Sequence, residues 1–394
     1  MILLFLLLCM AACWFSKKIT VSGKINDTVH VALFMIVSRI LLLAFAFIVL
    51  YFKYPGQDLI ALLSQNGDVP HFLHLAEYGY SIGDEYENLM VFYPFFPLCI
   101  RIVNLLINNY YLSGLLISNI SSIVAACVLY RLFSLEVQSS TAKRAVLFLF
   151  AYPFAFFTLF AYTEGLFLML CALCAFYARQ QQWIRSGLCG MLCALTRNQG
   201  VIMFGFAVYE YFLTVKETIR TGKSFKQAQQ PRAAALLLIP LGLFFYLLLN
   251  RIYFGSWFQF LEFQAAEPWY NGADLFVKNL AQHVDMAQQY YPQLAFIIYI
   301  PQLILFFTSF ALILYGCRKG IRTSYLLHAA AYTLISYTSS WLISGPRYML
   351  GCIFMFLPLA ILAENKTIRY ILYALTFSFF FVFFILYLHG YAIM

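Results

Sequence analysis

The chain has 394 residues, of which 63% are hydrophobic and only 10% charged, and its mean hydropathy is +0.81. No polar run is long enough for a separate globular domain, which excludes a soluble enzyme and points to one polytopic membrane domain over 1–394. The net charge of +9 would suggest nucleic acid in a soluble protein; here it is first an orientation signal, and no nucleic-acid partner is expected.

In chain order, Met1–Phe15 is a short apolar run ahead of Lys17, Lys18 and Lys24. It lacks the basic leader and small-residue cleavage pattern of a signal peptide and is read as retained, its crossing left open. Apolar spans follow near 29–53, 112–134, 145–162, 165–179, 183–196, 200–215, 233–252, 294–316, 323–343, 347–363 and 369–388. A spanning helix needs about 20 residues, so the shorter spans must borrow flanking polar positions. The expectation is an all-α bundle of eleven or twelve transmembrane helices. The cysteines lie mostly in these apolar segments, Cys171 and Cys174 among Leu and Ala, so they read as small packing residues rather than zinc ligands or a disulfide framework.

The segment 91–107 carries Pro94, Pro97 and Arg101, and an arginine at a helix centre costs about 2.5–3.5 kcal/mol on insertion scales. Keeping it off the list of spans places 18 of the 25 Lys and Arg on the cytoplasmic side and 11 of the 16 acids outside. That bias is the positive-inside pattern, so 91–107 is read as an interfacial or re-entrant helix. Two outer loops result, 54–111 and 253–293. The turns Tyr162-Thr163-Glu164, Thr196-Arg197-Asn198-Gln199-Gly200 and Ser344-Gly345-Pro346-Arg347-Tyr348 open to the same side.

The run from Asn66 to Pro97 gathers Asp68, His71, His74, Glu77, Asp84, Glu85 and Glu87 in an otherwise apolar chain. Acidic and imidazole groups serve proton transfer, although on composition alone a solvated loop is the favoured reading. Gly67-Asp68 followed by Pro70 could equally cap a helix. His71, His74 and Glu77 share a helical face, a spacing that could hold a metal, but none is expected. Arg197 and Arg347, each at the outer end of a span, suit a lipid phosphate through their planar fork, with headgroup snorkelling as the plainer role. Glu164, so deep in apolar sequence, needs a partner or a substrate hydroxyl. Phe254, Trp257, Phe260, Phe263, Gln264 and Trp269 form an aromatic outer segment of the kind found at any membrane interface.

Asp68, His71, Phe72, Leu73, Ala76, Glu77, Gly79 and Tyr80, then Glu87, Tyr93, Pro94, Phe96 and Pro97, resemble the first luminal loop of the GPI mannosyltransferase II (PIG-V-like) family, of the GT-C class of membrane glycosyltransferases. Tyr162-Thr163-Glu164, Thr196-Arg197 with Gly200, Pro346-Arg347-Tyr348 and the Gln264…Trp269 run match further motifs of the family in order. The resemblance implies an inverting hexose transfer, of mannose by analogy. The donor would be a polyprenyl-phosphate sugar and the acceptor a hydroxyl on a lipid-linked molecule or glycan. Asp68 would be the base, and His71, Glu77, Glu87, Glu164, Arg197, Gln264, Arg347 and Tyr348 would bind substrate, with no cofactor. One departure stands out: the family has Trp-Asp where this chain has Gly67-Asp68, which predicts a looser wall beside the acid. The compact length suggests a bacterial member in the cell membrane, with the endoplasmic reticulum as the alternative. A transporter or flippase and a non-catalytic GT-C relative are the rival readings.

Overall fold

A computed structural model describes residues 24–290, 294–339 and 344–391; the run Met1–Phe15 and its crossing lie outside the described residues. The fold is all-helical, and the described residues form no strand, only one isolated bridge between Ala273 and Ser339.

Five described helices are long and apolar enough to cross a bilayer: Asn26–Lys53, Tyr110–Phe133, Pro231–Phe254, Ala295–Arg318 and Lys366–Leu388. At 1.5 Å per residue, 24 residues reach about 36 Å, more than the ~30 Å hydrocarbon core. Caps fix two of their starts. Asn109 accepts from the Leu112 amide at 2.9 Å, and Asn365 accepts from Thr367 and Ile368.

Other expected spans are shorter or broken. The run 145–162 is not one helix: Ser139–Phe150 stops, and a 3-10 turn, Ala155–Thr158, follows. Pro153 has no N–H and its ring clashes with the carbonyl four residues back, which ends the helix. The run 347–363 divides into Gly345–Met349, Ile353–Met355 and Phe356–Leu362. Helix Ser139–Phe150 also begins earlier than expected and takes in Lys143 and Arg144, which are 3% and 6% exposed instead of looped into solvent. The reason for Lys143 is a partner, since its Nζ sits 2.7 Å from Asp27. Segment 91–107 forms helix Phe95–Ile107, whose 13 residues reach about 20 Å, too short to span. Arg101 stays exposed and donates through Nε to the Ala76 carbonyl at 2.6 Å.

Small residues set the closest helix contacts, as expected where lipid tails are as apolar as the helices themselves. A Cβ on Gly165 would stand 2.4 Å from the Ser118 carbonyl oxygen, so helix Glu164–Arg179 lies against the backbone of Tyr110–Phe133. Gly242 meets the Met191 carbonyl in the same way, at 2.3 Å, joining Leu238–Phe254 to Trp183–Ala194. Polar glue reinforces the first contact: Ser118 Oγ donates to the Tyr162 carbonyl at 2.9 Å.

The two ends of helix Glu164–Arg179 carry different ionic clusters, about 22 Å apart along its axis. At its C-terminal end Arg179 pairs with Glu136. The Arg322 fork grips the buried Glu210 through Nε and Nη2, both at 2.7 Å. At its N-terminal end lies the cluster described next.

Candidate functional site

Asp68 stands at the turn into helix Val69–Glu77, which is anchored by Val69, Phe72, Leu75 and Ala76, all buried. The position would suit a helix cap, but the side chain makes no capping bond. Its Oδ2 instead accepts from Arg347 Nη1 at 2.5 Å. The capping explanation for this acid therefore does not hold.

Arg347 lies in the short helix Gly345–Met349 and is 6% exposed. Its Nε donates to Glu164 Oε1 at 2.5 Å, so one guanidinium joins two carboxylates from distant parts of the chain. Glu164, the first residue of its helix and 2% exposed, shares the same Oε1 with Arg197 Nη1 at 2.6 Å; its Oε2 has no hydrogen-bond partner among the described residues. Arg197 projects from an extended residue (φ −155°, ψ 150°) ahead of the turn Asn198–Val201. It also donates to Thr163 Oγ1 at 3.3 Å, so Thr163, like Asp68, is not spent on a cap.

Aromatic rings enclose the two cations. Arg347 lies 4.6 Å from the Phe157 ring centroid and 4.7 Å from that of Tyr162, and Arg197 lies 5.1 Å from Tyr348 and 5.7 Å from Phe167. Desolvated cation–π contacts of this kind add about 2 kcal/mol each. A further layer of tyrosine hydroxyls fixes the backbone that carries the arginine: Tyr152 donates to the Pro346 carbonyl at 2.9 Å and Tyr332 to that of Tyr348 at 3.1 Å. With two carboxylates and two guanidiniums the cluster is formally neutral, which is the condition for burying four charges together.

Gly67 adopts φ +54°, and a Cβ there would come 2.5 Å from the Tyr162 hydroxyl, which donates to the Asn66 carbonyl at 3.0 Å. The expected looser wall beside Asp68 is not found. Tyr162 fills that side, and it leaves no room for the tryptophan of the family pattern.

Of the residues singled out from sequence, Asp68, Glu164, Arg197, Arg347 and Tyr348 come together. His71, one turn on from Asp68, stacks on Phe92 at 5.3 Å and meets Trp269 edge-on at 5.6 Å. The 253–293 loop thus packs over the 54–111 loop beside the acid. Burial holds the His71 imidazole below its ordinary pKa, against the opposing pull of Asp68. His74 faces elsewhere, stacked on Tyr86 at 3.8 Å. Glu77 is exposed, Glu87 accepts from the Gly83 amide at 3.1 Å, and Gln264 lies on helix Gln259–Ala265. No hydrogen bond or ion pair links these three to the cluster among the described residues.

Sequence reasoning missed Tyr387, whose hydroxyl lies 3.2 Å from that of Tyr162, because nothing local distinguishes it in helix Lys366–Leu388. Tyr162 was visible as part of a motif, but not its place under the Arg347 guanidinium.

No family model matches the chain, and no curated protein matches it. Among solved structures it is similar to the Archaeoglobus fulgidus oligosaccharyltransferase in complex with zinc and sulfate, at 12% identity and a TM-score of 0.48. That superposition covers 89% of this chain and 53% of the other. The apo form of that enzyme gives 12% identity, a TM-score of 0.45, and coverage of 90% and 56%. The chain spans about half the length of that protein.

Proposed function

We propose that this chain is a GT-C-type membrane glycosyltransferase that moves a hexose, mannose by its resemblance, from a polyprenyl-phosphate donor to an acceptor hydroxyl on the outer face. The observation that carries the reading is the meeting of Asp68, Glu164, Arg197 and Arg347. These residues come from separate turns, yet lie within hydrogen-bond reach of one another at one end of the bundle.

Each member has a role in that chemistry. Asp68 is the more accessible of the two acids, its side chain 28% exposed against 2% for Glu164, so it is the one a hydroxyl can reach. Arg347 holds Oδ2, which leaves Oδ1 to take the acceptor proton as the oxygen attacks the anomeric carbon. The lipid phosphate departs with the C–O bond electrons and needs no strong acid. Arg197, paired through Nη1 alone, contributes donors to that developing charge. Glu164 keeps both guanidiniums fixed between them. The two-arginine phosphate clamp read from sequence is thereby divided: Arg197 faces the phosphate, and Arg347 positions the base.

The test is transfer of a radiolabelled hexose from a polyprenyl-phosphate sugar by the purified protein in detergent. Product formation that Asp68→Asn abolishes supports the reading. Movement of donor across reconstituted vesicles without sugar transfer would favour a flippase instead.

A further inference from the structure

At the end of the bundle away from Asp68, a cavity of about 790 Å³ opens between the 134–138 turn, the start of helix Ser139–Phe150, Lys319 and Glu364. It is a broad cleft open to the surface, not an enclosed pocket. It is separate from the Asp68 cluster, because Glu136 on its wall pairs with Arg179, at the far end of helix Glu164–Arg179.

Arg144, on the same wall, is 6% exposed and has no carboxylate within salt-bridge distance among the described residues. Its Nη2 donates to Thr141 Oγ1 at 2.7 Å, while its buried Nε has no partner among the described residues. Thr141 in turn donates to Glu364 at 2.8 Å. A buried guanidinium whose nearest acid, Glu364, reaches it only through Thr141 is costly unless a further anion shares it. Lys319, exposed across the cavity, adds a second cation whose contact is the face of Tyr315. With Glu136 neutralised by Arg179, the cavity holds Arg144 and Lys319 against Glu364, a surplus of one positive charge.

We infer that this cavity binds a phosphate diester carrying one negative charge, the chemistry of an anionic phospholipid headgroup, with Arg144 and Lys319 as its cationic contacts and Thr141 as a hydroxyl contact. The same chemistry occurs in soluble glycerophosphodiesters, and the experiment separates the two sources.

Native mass spectrometry of the full chain in detergent, titrated with phosphatidylglycerol, is expected to show one lipid retained ahead of the general annulus. Lys319→Ala, at an exposed position where folding is not at risk, is expected to weaken that retention about tenfold, the effect of roughly 1.4 kcal/mol. Arg144→Gln is expected to weaken it further. Added glycerophosphoglycerol, the headgroup without acyl chains, distinguishes the sources: failure to displace the lipid assigns a membrane ligand, and full displacement assigns a soluble diester. Equal retention of phosphatidylglycerol by wild type and Lys319→Ala, with no preference over phosphatidylcholine, would overturn the site.

Discussion

Asp68 and Asp84 belong to one loop but stand in different chemical settings. Asp84 is fully exposed, with the Ser81 hydroxyl at 2.7 Å and the Tyr86 amide at 2.9 Å holding its carboxyl below the usual range. Asp68 faces Arg347 within the enclosed cluster. Asp68→Asn is therefore expected to lower the transfer rate about 10²–10⁴-fold, the usual cost of removing a general base, while Asp84→Asn stays near wild type. Equal losses in both would mean that the charge of the loop matters rather than a base. Arg347→Met removes the partner of two carboxylates, one of them buried, and is expected to destabilise the protein by about 3–5 kcal/mol. Adding Glu164→Gln should recover part of that loss in thermal unfolding of the detergent-solubilised protein, because the cluster, left with Asp68 and Arg197, is formally neutral again. His71 offers a pH test. Its folded pKa lies below its unfolded value of about 6.5, so its contribution to stability is complete above that pH. Between that value and the lower folded pKa, the contribution is lost as acid protonates the unfolded state. His71→Gln should flatten the acid side of the stability profile, and an unchanged profile would show that another group controls it.

At the scale of elements, backbone contact sets the position of Glu164. Helix Glu164–Arg179 can present its first residue to both arginines because Gly165 lets it lie against Ser118. Gly165→Ala pushes a methyl group to within 2.4 Å of a carbonyl oxygen, and overpacking of this kind costs about 1–3 kcal/mol. A lower unfolding temperature and reduced transfer activity are both expected. Gly205 provides the opposite case: it sits in helix Ile202–Arg220, and a methyl group added there would meet nothing within 4 Å. Gly205→Ala should raise stability by about 0.5–1 kcal/mol through helix propensity alone. If both variants shift the same way, close packing is not what fixes the Glu164 turn.

At the scale of the molecule, the two ionic ends should face opposite sides of the membrane. A cysteine at Ile82, in the exposed part of the Asp68 loop, is expected to react with a membrane-impermeant maleimide from outside. One at Lys223, on the exposed turn after helix Ile202–Arg220, should react only after the membrane is opened. Cys317 is exposed and is replaced by serine first, and the labelling of that parent chain is subtracted so that the signal reports the introduced site. External labelling at both positions would break the one-sided arrangement.

The sequence by itself determined the solvent and the class of fold. Apolar runs near 20 residues have no stable alternative to helices in lipid, and Pro94, Pro97 and Arg101 together with the positive-inside bias marked 91–107 as no span. The motif residues Asp68, Glu164, Arg197 and Arg347 were also legible, because charge in so apolar a chain is conspicuous. What they bind to one another was not. The sequence suggested a free base and a free pair of phosphate-binding arginines, whereas the tertiary structure pairs each cation with a carboxylate. The same limit hid the burial of Lys143 and Arg144, which looked like loop charges until Asp27 and Thr141 came within reach. Periodicity reports which face of a helix is apolar. Whether a charge on it is neutralised can depend on residues more than a hundred positions away, and only the packing of the bundle brings those together.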